Sequence, residues 1–304
     1  MNARGCAKLF FFVAFFALLV HQGDTTVTSE SVVLAADGTS SSENHQLHPP
    51  EEAASSNGDG SSVNGTYRGK VLTPGPLHMD DLYQAYREIQ TSYQNKTLGA
   101  SNDWKVLNVK DGVEVAILEH EGDPTCPYVR MRATLPVPVQ DCWDFLRVDN
   151  WDRTMPLMDP FYEGVSVHGN FTHPAVDMLL CRKRMTRIFT FGKRDLVFLS
   201  VTEKEPLEDG TWVSGTVSVH TDSLPRQPGY TRAFQDSVAF YKPTDQNHTD
   251  LTIVCRIDLN DSSGGGWIPM WLYVKTIGYT GAESVLRMRN ALVQAAQLSA
   301  DTTA

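Results

Sequence analysis

The chain predicts an α+β fold in which a curved antiparallel sheet grips one long C-terminal helix. Two observations carry that expectation. From Gly264 to Leu298 apolar residues recur at helical spacing: Ile268, Trp271 and Leu272, then Val285, Met288, Leu292, Ala295 and Ala296. Upstream of this stretch, nine runs alternate in the manner of strands and are separated by turns rich in Gly, Pro, Asn and Asp. A long helix with one broad apolar face needs a surface to cover, and the sheet supplies it.

The N-terminus reads as targeting and linker sequence. Residues 9–20 are uninterruptedly apolar after Arg4 and Lys8, a run of about 12 where a bilayer span takes about 20, which suits the core of a secretory signal. Residues 1–23 are therefore expected to be a signal peptide, although His21 stands where a small residue is usual before Gly23; an uncleaved anchor is the alternative. Residues 24–75 are rich in Ser, Gly, Glu, Asn and Thr. Such a segment buries too little surface to offset its ordering entropy and predicts a disordered low-complexity linker. The folding domain is then 76–300.

Compartment and partners follow. A signal predicts a secreted or endomembrane-lumen protein, and five sequons begin at Asn64, Asn95, Asn170, Asn247 and Asn260. Asn170 and Asn247 sit in turn-like contexts and are the preferred glycosylation acceptors. With Cys6 in the signal, Cys126, Cys142, Cys181 and Cys255 remain. They form either disulfides, with Cys126 to Cys142 the favoured single bridge, or buried apolar contacts. The net charge of −10 argues against nucleic acid as a partner.

In order, Asp80 or Asp81 caps a helix whose apolar residues are Leu82, Tyr86, Ile89 and Tyr93. Strand-like runs at 104–109 and 113–119 flank Lys110-Asp111-Gly112, where Asp-Gly signals a hairpin. A third run spans 128–135, and Pro136-Val137-Pro138 ends it. Short helices are expected at 139–147, with Cys142, Phe145 and Leu146 inward, and from Asp149 to near Pro156. Six strands follow at about 161–168, 175–185, 195–204, 211–220, 231–241 and 250–260. The long helix comes last, opening on a glycine run and Pro269 and expected to bend or thin near Gly278 and Gly281. Nine strands must curl, so sheet and helix enclose a space lined by Val, Leu, Phe, Trp and Met, an internal apolar cavity.

Several local patterns, in this order, resemble the START domain, the steroidogenic acute regulatory protein-related lipid-transfer family. They are Trp104 with the Gly112-Val113 hairpin, Asn150-Trp151-Asp152, Lys193-Arg194-Asp195-Leu196-Val197, Gly229-Tyr230-Thr231-Arg232, Asp258, and Gly265 with Trp267-Ile268-Pro269 and Trp271-Leu272. The resemblance covers about 80–298. It implies a helix-grip fold holding one lipid or other apolar small molecule, transient membrane contact and transfer between membranes, with no cofactor or metal. It also implies a lid formed by the helix from Trp267 and the loop 188–193. Relatives often carry an acidic residue on the fifth strand and an Arg six residues beyond the Arg of the Arg-Asp step. Here Cys181 and Ser200 stand at those positions. The missing ion pair implies a less charged cavity and a ligand with a small polar head.

The candidate ligand-binding residues are accordingly Cys181, Phe198, Ser200, Met270 and Trp271, with no catalytic residue. The bland readings are that Met270 and Trp271 only pack on the sheet, that Ser200 is a satisfied structural serine, and that Arg194 with Asp195 is a structural ion pair. Arg182, Lys183, Arg184 and Arg187 either meet anionic headgroups or form a solvated face. The chain has no Gly-x-Ser-x-Gly, His-Glu-x-x-His, Cys-x-x-Cys or phosphate loop, so an enzyme, a hydrolase or cyclase using the same cavity, is the alternative. A lipid sensor that shows its closed state to a protein partner is a third reading.

Overall fold

The structure is a computed structural model that describes residues 70–71, 78–98, 103–119, 126–187, 192–260 and 270–303. The expected signal, nearly all of the linker, and Asn64 lie outside the described residues.

Helix α1 (Met79–Leu98) comes after a short strand β1 (Lys70–Val71). It leads into β2 (Lys105–Lys110), β3 (Val113–Leu118) and β4 (Tyr128–Leu135). Two helices, α2 (Val139–Leu146) and α3 (Trp151–Met158), flank a 3-10 turn (Val148–Asn150). Then come β5 (Tyr162–Thr172), β6 (Val176–Met185), β7 (Arg194–Glu203), β8 (Trp212–His220), β9 (Thr231–Pro243), β10 (Thr249–Asp258) and helix α4 (Met270–Thr303). The sheet order is β2-β3-β4-β10-β9-β8-β7-β6-β5, all antiparallel neighbours along that path, with β1 added in parallel to β8. The sheet is not closed; β2 and β5 are its edges. The expected nine-stranded helix-grip is what forms, and β1 is the strand that the sequence did not announce.

Local chemistry explains most boundaries. Asp111 and Gly112 both take positive φ, 47° and 78°, the geometry a tight hairpin with right-handed twist needs. Asp80 and Asp81 sit inside the first turn of α1 instead of before it, where their charge still favours the helix N-terminus. Pro156 lies inside α3, which continues to Met158. Strand β5 runs on to Thr172, past the end expected from its pattern, because bulges at Tyr162/Gly164 and Val167/Gly169 reset the alternation on which such a reading depends.

Both faces of the sheet are covered. On the convex face Leu82 and Tyr86 of α1 pack on Val197, Leu199, Val201 and Val217. Tyr93 joins Val213, Val238 and Val254 farther along. Fully burying each such side chain contributes roughly 1.5–3 kcal/mol. Polar contacts fix the helix: Tyr86 Oη donates to Glu203 at 3.0 Å, and Trp104 Nε1 donates to Lys96 O at 3.1 Å.

On the concave face Ala282, Val285, Leu286, Met288 and Leu292 of α4 meet Val113, Val115, Val129, Leu135 and Leu251. The helix is one continuous element, and Gly278 and Gly281 are where it comes close to the sheet. A Cβ on Gly278 would lie 3.1 Å from Leu107 Cβ, and one on Gly281 would lie 3.2 Å from Met131 Sδ. Asn108 Nδ2 donates to Gly278 O at 3.2 Å, and Tyr273 Oη donates to Ile257 O at 2.9 Å.

Two expectations are corrected. Cys126, Cys142, Cys181 and Cys255 are all buried, unbridged thiols. Cys126 and Cys142 do not pair: the Cys126 thiol donates to Ile257 O at 3.4 Å, whereas Cys142 packs into the core beneath α4. Asp195 does not pair with Arg194. Its hydrogen-bonded partner is Arg232, with Arg182 Nε also 3.8 Å from its carboxylate, while Arg194 donates to the carbonyls of Leu259 and Gly192, both at 2.8 Å.

Candidate functional site

The register decides which residues face the concave side. Cys181 lies opposite Phe198, Leu179 opposite Ser200 and Asp177 opposite Thr202. Side chains of a strand alternate, so these residues of β6 and β7 share one face. On β8 the same face takes Ser214, Thr216 and Ser218, opposite Thr202, Ser200 and Phe198. On β9 it takes Ser237 and Ala239. The middle of the concave face is therefore a field of hydroxyls. Thr216 Oγ1 and Ser237 Oγ are 2.7 Å apart, and Ser214 Oγ and Tyr241 Oη 3.1 Å. Ser218 Oγ donates to Gln235 O at 2.9 Å.

Ser200 is different. It is only 8% exposed, and its side chain has no hydrogen-bond partner among the described residues. The fully buried side-chain polar atoms left without a partner among the described residues are Arg130 Nε, Arg182 Nε and Arg184 Nε, so the Ser200 hydroxyl keeps access to solvent and is free to bond a ligand lying on this face. The two candidates deeper along the strands are already occupied. Cys181 and Phe198 pack with Val148, Leu196 and Ala233, and the Trp151 ring lies 5.6 Å from that of Phe198. Burial pushes the Cys181 thiol up to about 12, so it is a neutral thiol here.

Towards the β5–β6 turn the concave face opens into a cleft of about 630 Å³. Its floor is Trp143 of α2, Trp212 of β8, Leu179 and Thr202; its rim is exposed and polar, with Arg147, Asp149, Asn170, Thr172, Asp177 and Lys204. The two indoles have centroids 5.0 Å apart, tilted by 40°. The rim charges are paired: Arg147 Nη2 donates to Asp149 at 2.8 Å, and Lys204 Nζ lies 3.4 Å from Asp177. The wall of this cleft is thus more polar than the Val, Leu, Phe, Trp and Met lining that the sequence predicts.

Residues 127–297 match the family model of the START domain. The chain belongs to the START-domain family. The START match begins at β4, and the structure adds α1 and the β2–β3 hairpin before it. Among solved structures, human StAR-related lipid transfer protein 5 is similar, at 18% identity and a TM-score of 0.60 over 71% of this chain and 99% of that one. Human STARD10 is similar at 16% identity and a TM-score of 0.57, over 76% of this chain and 84% of that one. The STAR-related lipid transfer protein of Xanthomonas axonopodis is 21% identical with a TM-score of 0.51, over 63% of this chain and 99% of that one. At these identities the likeness is one of fold. No curated protein sequence matches the chain.

The START domain thus brings three of the five candidate residues, Cys181, Phe198 and Ser200, onto one patch. Met270 and Trp271 belong to the first turn of α4, and their side chains lie outside the described residues. The lid loop expected at 188–193 is described only for Gly192 and Lys193. Two of the basic cluster are engaged: Lys183 Nζ donates to Asp159 at 2.8 Å and Arg182 Nη2 to Pro225 O at 2.6 Å, whereas Arg184 Nε is buried with no hydrogen-bond partner among the described residues and Arg187 is exposed. Sequence reasoning did not name the cleft residues Trp143, Trp212, Thr202 and Thr172 or the neighbouring Thr216 as ligand candidates. The signal in the sequence was the alternation of Ser214, Thr216 and Ser218 with Val213, Gly215 and Val217.

Proposed function

We propose that this START domain holds one lipid-like molecule bearing a small neutral polar group on the concave face of its sheet, and carries it between membranes during transient contact with them. START domains as a family bind lipids, which supports the first half of that reading. The observation that carries the finer half is Ser200, whose hydroxyl has no hydrogen-bond partner among the described residues and stands on the same face as the neutral Cys181 and the hydroxyls of Thr216 and Ser237. An anionic or cationic head placed there would find no opposite charge in the middle of the face, whereas a hydroxyl or carbonyl would complete a hydrogen bond. The apolar run at 9–20 and the exposed sequon at Asn247 support passage through the secretory route and a glycosylated product.

The test is native mass spectrometry of the full chain from a secretory host, with extraction and identification of anything bound. The expected result is one lipid per protein, carrying a hydroxyl or carbonyl head. Ser200→Ala should fold normally and bind that lipid about two- to tenfold more weakly, the value of one hydrogen bond. Protein that emerges empty and takes up no lipid from vesicles would defeat the reading.

A further inference from the structure

The cleft over β5–β8 has a composition of its own, and three features of it point to one ligand chemistry. Its floor is aromatic: Trp143 is 5% exposed, and the half-buried Trp212 beside it offers the remaining indole surface. A flat apolar ring face is the natural complement of such a floor. Its charges are already engaged: Arg147 pairs with Asp149, Lys204 with Asp177, and Glu203, the third carboxylate of the lining, with Arg87 and the Tyr86 hydroxyl. Each charge at the cleft already faces an opposite one, so neither a phosphate nor an ammonium would find an unpaired counter-charge there. Neutral groups complete the lining, the Asn170 amide and Thr172 hydroxyl of the rim and the Thr202 hydroxyl of the floor, none with a side-chain hydrogen-bond partner among the described residues. Ser200, nine-tenths buried and equally unpartnered, lies one step deeper on the same face as Thr202.

Hydroxyls and amides both donate and accept, and the ligand that matches such a set is one dense in hydroxyls itself. A volume of about 630 Å³ sits within the range of small-molecule pockets, roughly 300–1,000 Å³, and exceeds what a single small group would fill.

We propose that this cleft binds a neutral sugar ring, stacked on Trp212 and hydrogen-bonded by Asn170, Thr202 and Ser200. The ring is either a free sugar or the head of a glycolipid whose tail lies on the concave face; the second source rests on the lipid-binding reading above. The orientation follows from the face itself, since Ser200 follows Thr202 on the same face and the row Ser200, Thr216 and Ser237 leads across the sheet to Cys255 in the apolar cluster beneath α4.

The experiment uses the full chain and its tryptophan fluorescence. It is titrated with methyl glucoside and methyl galactoside, then with phosphatidylcholine vesicles containing monogalactosyl diacylglycerol, monoglucosyl diacylglycerol or diacylglycerol, with lipid uptake measured in parallel. Thr202→Val keeps the side-chain volume and leaves the Asn170-Phe171-Thr172 sequon intact; Asn170→Ala is the second variant. A fluorescence change with the free glycosides, weakened about fivefold in both variants, assigns the site to sugar without need of a lipid. Silence with free glycosides but uptake of a glycosyl lipid in preference to diacylglycerol and phosphatidylcholine, weakened to the same extent, assigns it to a glycolipid head. Equal uptake of all lipids, unchanged in both variants, overturns the sugar site and leaves the lipid reading standing. No response to any glycoside or lipid overturns both.

Discussion

The Arg232 guanidinium of β9 forks onto the Asp195 carboxylate of β7, with hydrogen bonds of 3.1 and 3.0 Å, and Asp195 is fully buried. The two strands run parallel there, with these residues in register. Arg232 Nη2 also donates to Leu224 O at 3.1 Å, so the pair ties the segment between β8 and β9 to the sheet. Breaking a buried pair leaves a charge uncompensated, so Asp195→Ala is expected to cost about 3–5 kcal/mol. Replacing both residues with apolar ones should cost clearly less than that. Urea denaturation of the single and double variants checks this, and a single variant within 1 kcal/mol of the parent, by the same yardstick, would mean the pair is not holding the strands.

Gly215 on β8 meets the ring of Tyr86 from α1. A Cβ there would lie 2.8 Å from Tyr86 Cε2 and 3.1 Å from Ser237 O. Alanine ordinarily gains stability over glycine in a strand, so the steric term decides the sign. Gly215→Ala is expected to lower stability by about 1–3 kcal/mol by pushing α1 off the sheet. A thermal melt unchanged or raised in this variant would show that α1 can give way at no cost.

Asp236 links stability to pH. Burial pushes its carboxyl up to about 7, against an opposing hydrogen bond from Ser218 N and the nearby Arg256 guanidinium. The folded state therefore holds a proton that the unfolded chain releases near its ordinary value of about 3.9. The sign is that this contribution to stability is full at low pH and is lost as pH rises toward about 7. The slope is about 1.4 kcal/mol per pH unit while one full proton separates the states. Asp236→Asn keeps an acceptor for Ser218 N, so its stability relative to the parent should rise between pH 4 and 7. Denaturation curves across that range with a constant difference would contradict the assignment.

The cysteines should be silent toward thiol reagents. Burial pushes Cys142, Cys181 and Cys255 up to about 12 and keeps them covered. Thiolate is the reactive form, so labelling at neutral pH is expected to wait on unfolding. Counting thiols with a chromogenic disulfide before and after denaturation checks this; rapid labelling of the folded chain would refute the burial of these three.

The order of elements was legible in the sequence almost throughout. Period-two runs marked the nine strands, Asp111-Gly112 marked the first hairpin, and the spacing of Val285, Met288 and Leu292 marked the buried face of α4. Those signals are local, and the structure bears them out to within a few residues. Less legible was β5, where two bulges reset the alternation, and β1, whose two residues are too few to carry a pattern.

The candidate site was legible in part, and the division has a physical cause. By itself the sequence determined the helix-grip architecture, because alternation, turn chemistry and apolar spacing act over neighbouring residues. Only the tertiary structure decided what faces the ligand. Ser214, Thr216 and Ser218 alternate as a solvent-facing strand would, and a flat sheet with one covered side would leave them in water. This sheet curls and is covered on both sides, by α1 without and α2, α3 and α4 within, so its polar face turns inward. The same curl brings Trp143, on a short helix, beside Trp212, on a distant strand, and no local pattern records that meeting.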